Sequence, residues 1–82
     1  MPKGKIACLN EIHKPFGHGI IIDENERTYI FTIGLFAGLI DKEGIKRCGE
    51  INPNDLNIGN LVYFEPPENG ITDMVKEVWL IA

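Results

Sequence analysis

Apolar side chains in this chain recur either at every second position or in short blocks cut off by glycine and proline. Neither arrangement supplies the i, i+3, i+4, i+7 stripe of an amphipathic helix, whereas alternation is what a half-buried strand requires. The chain is therefore expected to be all-β. KIACLN (5–10) reads as a first strand, ended by the polar, proline-containing EIHKP. HGIIID (18–23) reads as a second, and DENER (23–27) as the turn that returns RTYIFTI (27–33) as a third. NLVYFE (60–65) reads as a fourth, stopped by Pro66 and Pro67, neither of which can donate to a ladder. DMVKEVWLI (73–81), reached through the turn ENG (68–70), reads as the last.

Residues 34–59 form a long connection with internal divisions. GLFAGLI is apolar with small residues, DKEG has turn composition, and IKRCGEI reads as a short extra strand returning from it. NPNDLNIG carries a turn and one helical turn, with Asn54 or Asp55 as candidate cap. A featureless loop of this length is out of place in so small a domain, so local order such as a hairpin is expected. Short strands in one domain must close on themselves or leave open edges. The expected architecture is a single domain, 1–82, folded as a five-stranded antiparallel Greek-key barrel of the OB type, with an enlarged connection between strands 3 and 4.

Composition excludes several classes. The chain is 44% hydrophobic but has no apolar run of ten, and a membrane span needs about 20. The N-terminal MPKGKIACLN lacks the apolar core and cleavage pattern of an export signal, so a cytoplasmic location is expected. Cys8 and Cys48 then read as reduced, buried thiols rather than a disulfide. A net charge of −4 argues against strong sequence-independent phosphate binding. The charge is uneven, however. Residues 1–22 carry Lys3, Lys5 and Lys14 against Glu11 alone, with His13 and His18 besides, so any anion-binding face is expected in this third.

Four segments together resemble the cold-shock domain family, over nearly the whole chain. GKIACLN matches that family's Gly-Lys-apolar opening strand through Gly4, Lys5, Ile6 and Asn10. GHGII (17–21) resembles its GFGFI motif in both glycines and the final isoleucine, and TYIFT (28–32) falls where its second motif, of the VFVHF type, is expected. LNIGNLVYF is similar to its LxxGxxVxF run through Leu56, Gly59, Val62 and Phe64; the last strand matches in Val75 and Val78. The resemblance implies an OB barrel that binds single-stranded RNA or DNA on a sheet face with low sequence specificity, without cofactor or catalysis. On the family's pairing, His18, Ile20, Tyr29 and Phe31 form one outward patch, where each aromatic platform contributes about 1–3 kcal/mol of base stacking. Lys5 and Lys14 would contact phosphates, and Phe16, in a loop enlarged by about three residues, would supply a replacement ring. The sequence departs from the family at Cys8 (for tryptophan), His18 and Ile20 (for two phenylalanines), Phe31 (for histidine) and Thr32 (for phenylalanine).

Each of these residues also has an ordinary structural reading. Aromatics suit strands because they fit a pleated surface, His18 can pack beside Tyr29, Phe16 can anchor a loop, and surface lysines are usually solvated charge. Cys8, His13 and His18 recur at equal separations with Cys48 as a fourth candidate ligand, yet the close-spaced pairs of a structural zinc site are missing, so no metal is expected. No nucleophile setting and no GxxxxGK[ST] phosphate loop is present, so no enzyme is expected either. The alternative class is a protein-interaction module or homodimer using the apolar 34–40 segment, through Leu35, Phe36, Leu39 and Ile40 with Trp79 nearby, unless these residues simply cap the barrel. Base binding requires His18, Tyr29 and Phe31 in solvent beside a basic rim; partner docking requires the 35–40 segment there.

Overall fold

The computed structural model describes residues 1–68 and 72–82. Seven strands follow one another: β1 (Lys3–Asn10), β2 (His18–Asp23), β3 (Thr28–Phe31), β4 (Phe36–Ile40), β5 (Lys46–Cys48), β6 (Leu61–Glu65) and β7 (Glu77–Ile81). Short 3-10 turns occupy Ile33–Leu35 and Pro53–Asp55, and no α-helix occurs among the described residues. The five strands expected from alternation are all present. The last is shorter than expected, because its first half pairs elsewhere, and residues 69 and 70 of the turn before it lie outside the described residues.

The β2–β3 and β4–β5 hairpins are turned by the same device. Asp23 Oδ1 accepts hydrogen bonds from the backbone N–H of Asn25 (2.8 Å) and Arg27 (2.9 Å). Asp41 Oδ1 accepts them from Glu43 (3.0 Å) and Ile45 (2.9 Å). In both, the fourth residue is left-handed: Glu26 at φ 64° and Gly44 at φ 83°. A short carboxylate that holds two backbone donors is what makes aspartate a turn residue. The helical turn in the long connection is capped by Asn52, whose side chain accepts from Asn54 N at 3.0 Å, rather than by Asn54 or Asp55.

The strands form one mixed sheet in the order β3-β2-β1-β6-β7-β4-β5. The chain is mostly β as expected, but the strand count and pairing are corrected: the sheet has seven strands rather than five, β4 runs parallel to β7, and β3 and β5 stand at the two ends, so the sheet is not closed. The extra strands come from the long connection, where GLFAGLI supplies β4 and IKRCGEI supplies β5. At the outer edge of β3 a single parallel bridge joins Ile30 to Met74. There Ile30 N donates to Asp73 O and Val75 N to Ile30 O, both at 2.9 Å.

The sheet wraps a core of Ile6, Ile12, Ile21, Tyr29, Phe31, Phe36, Leu56, Val62, Phe64, Val75, Val78 and Leu80. Tyr29 packs on Phe64 with ring centroids 4.9 Å apart, and Phe31 meets Phe36 edge-on at 5.5 Å, the tilted and T-shaped contacts that ring quadrupoles favour.

Candidate binding face

The expected aromatic platform is not on the surface. Phe31 is fully buried and Tyr29 is 9% exposed, so neither ring is open to a base. The reason is register. In the β2–β3 ladder Gly19 pairs with Phe31, Ile20 with Ile30 and Ile21 with Tyr29, and directly opposed residues share a face. Tyr29 and Phe31 therefore lie with the two inward residues Gly19 and Ile21, not with His18 and Ile20. A slip of one residue in that ladder would exchange every side chain between faces.

The glycines of GHGII serve this packing. A Cβ on Gly19 would strike the Phe31 ring, reaching Cε1 at 2.6 Å, and one on Gly17 would run into the backbone of Glu11 and Ile12. Their absence of side chains makes room for a core ring and a loop crossing.

Ladder registers define what the outer face of β1, β2 and β3 carries instead. One row runs Cys8, Ile20, Ile30, continued by Met74 across the edge bridge. A second runs Leu61, Lys5, Ile22, Thr28, and a third pairs Asn10 with His18. A bulge between Ile6 and Cys8 brings Cys8 onto this face. Ile30 is 37% exposed, Met74 38% and Leu61 43%; Ile20, Ile22 and His18 are half-buried. The surface is thus aliphatic where stacking would need rings.

Of the other residues singled out from sequence, Lys5 lies exposed on this face. Lys14 and Phe16 lie apart from it in the β1–β2 loop; Phe16 is 69% exposed, with Lys14 Nζ 5.9 Å from its ring centroid and 3.9 Å from Glu11 Oε1. Cys8 and Cys48 are unpaired but exposed, not buried as expected. Among the described residues no three His, Cys, Asp or Glu side chains group as a metal site would. The 35–40 segment is not an open surface: Phe36 and Ile40 are buried and Leu35 and Leu39 half-buried, because β4 is an interior strand between β5 and β7. Trp79 is buried on β7 between Tyr63 and Gly38, with Lys46 Nζ 4.9 Å from its ring centroid.

Sequence reasoning passed over Ile22, Ile30, Leu61 and Met74. The signal was present, since Ile20, Ile22 and Ile30 alternate with the residues that prove to be inward. Lys3, Lys5, Asp23, Glu24 and Glu26, with Ile22 and Leu61 of this face, line a depression of about 650 Å³. No family model, curated protein or solved structure matches the chain.

Proposed function

We propose that the chain is a non-catalytic binding module of OB type that engages a protein through the outer face of β1, β2 and β3. The observation that carries this reading is the replacement of rings by Ile20, Ile22, Ile30, Leu61 and Met74 on that face. An aliphatic patch gains by being covered with apolar surface, at about 25 cal/mol per Å², and offers bases no π-stacking. The mixed-charge border supports the same partner, since Glu24 and Glu26 repel the phosphates that Lys3 and Lys5 would attract. The OB assignment is supported by connectivity: β1, β2 and β3 form a meander, β6 returns beside β1, and the 28–40 run meets the 74–81 run in parallel at both Met74 and β7. A partly open barrel of this kind presents its second and third strands for binding.

A second reading, weak binding of single-stranded RNA or DNA at the β1–β2 loop, is favoured by Phe16, the ring most open to solvent among the described residues, with Lys14 beside it. One experiment separates the two. In an amide-resolved NMR titration with short single-stranded oligonucleotides at low salt, Cys8, Ile20, Ile22 and Ile30 are expected not to shift. Saturable, salt-sensitive shifts at those four would overturn the protein-binding reading; shifts confined to residues 13–18 and lost in Phe16→Ala would establish the loop site.

A further inference from the structure

We infer that the partner of this face is a second copy of the same chain, in a symmetric dimer; the inference rests on the protein-binding reading above. The depression beside Ile22 has walls of opposite sign. Glu24 and Glu26 stand on the β2–β3 turn, and Lys3 and Lys5 on β1. Among the described residues none of these four makes an ion pair; the ion pairs are Lys14 with Glu11, Arg47 with Asp41 and Lys76 with Glu68. Asp23, between the walls, is already engaged by its own turn.

The β1–β2 register sets Lys3 and Lys5 beside the turn that carries Glu24 and Glu26, so one end of the face holds unpaired cations on one side and unpaired anions on the other and is its own complement. A two-fold axis in the contact plane, running along the strands between β1 and β2, lays the lysine strip of one copy against the carboxylate turn of its partner. The same operation repeats the contact in reverse, as an isologous interface requires. Ile20, Ile22, Ile30 and Leu61 then form the apolar part of the contact with Lys5 among them, and Lys3, Glu24 and Glu26 lie at its rim. A nucleic acid would satisfy only the lysines, and a basic peptide only the carboxylates; a second copy satisfies both. Four strands about 4.8 Å apart and about six residues long give a face of roughly 20 by 20 Å. Counted on both copies that is roughly 800 Å², below the size of stable specific interfaces, so a weak, transient dimer with a dissociation constant of about 100 μM or above is expected.

Sedimentation equilibrium from about 1 to 500 μM is expected to show a reversible monomer–dimer system. Lys3→Glu with Lys5→Glu, and separately Glu24→Lys with Glu26→Lys, should each weaken self-association at least about tenfold, while an equimolar mixture of the two variants regains it as a heterodimer. All four positions are exposed, so both variants should keep the wild-type circular dichroism spectrum. Lys42→Glu with Lys76→Glu, which lowers net charge as much as the Lys3 and Lys5 pair does but outside the depression, should leave the constant within about twofold. A monomer throughout the range, or a charge-swapped mixture that fails to pair, overturns the dimer. Neither outcome touches the protein-binding reading, which stands or falls on the oligonucleotide titration.

Discussion

Gly19 and Phe31 show how one residue's lack of a side chain decides another's fate. The Phe31 ring occupies the space a Cβ on Gly19 would take, so Gly19→Ala is expected to cost about 1–3 kcal/mol by overpacking. Phe31→Ala should cost about 3–5 kcal/mol through the cavity it leaves. Phe16→Ala, in the open loop, should change stability by less than about 0.5 kcal/mol. Urea denaturation of the three variants checks the ranking; equal, small losses for Phe31 and Phe16 would return Phe31 to the surface. The spacing of Gly17 and Gly19 was legible as meaningful in the sequence. What they accommodate was not, because a glycine records that space is needed without recording what fills it.

At the scale of elements, the two aspartate-held turns differ in one informative residue. Glu26 adopts the left-handed conformation that Gly44 adopts in the other turn, and a side chain there is strained where glycine is not. Glu26→Gly is therefore expected to stabilise the protein by about 0.5–1 kcal/mol, read as a higher urea midpoint at unchanged slope. Asp41 supplies a pH prediction. The Ile45 backbone N–H above all, then the Arg47 side chain and the Glu43 N–H, hold its carboxyl below the ordinary 3.8. Because the folded value is the lower one, the stabilisation is complete above the unfolded value and is lost as pH falls below 3.8 through the folded value. The Glu43 and Ile45 amide resonances should move in that window, and Asp41→Asn should abolish the movement. Both hairpin turns could be placed from DENER and DKEG, because the aspartate acts on backbone within its own turn. The parallel pairing of β4 with β7 could not: GLFAGLI is apolar enough for a cap, an interface or an interior strand, and only its neighbours choose.

On the scale of the whole molecule, the C-terminal run ties distant parts of the sheet together, with Met74 bridged to β3 and β7 paired to both β6 and β4. Unfolding is expected to be a single cooperative transition. Trp79 fluorescence, reporting on β7 under Lys46, and far-ultraviolet circular dichroism should give coincident curves; an earlier Trp79 transition would mean that the β4–β5 hairpin melts separately. The net charge of −4 and the basic N-terminal third were readable at once. The sequence could not show that Glu24 and Glu26 share a depression with Lys3 and Lys5, since only the β1–β2 ladder brings them together. By itself the sequence determined where the strands other than β4 and the two aspartate turns lie, because alternation and turn residues act within a few positions. The tertiary structure alone decided which side of each strand turns inward. YIFTI has bulky apolar residues at both odd and even positions, so its own pattern serves either orientation, and the gap at Gly19 and the rings of Phe64 and Phe36 select the one that buries Tyr29 and Phe31.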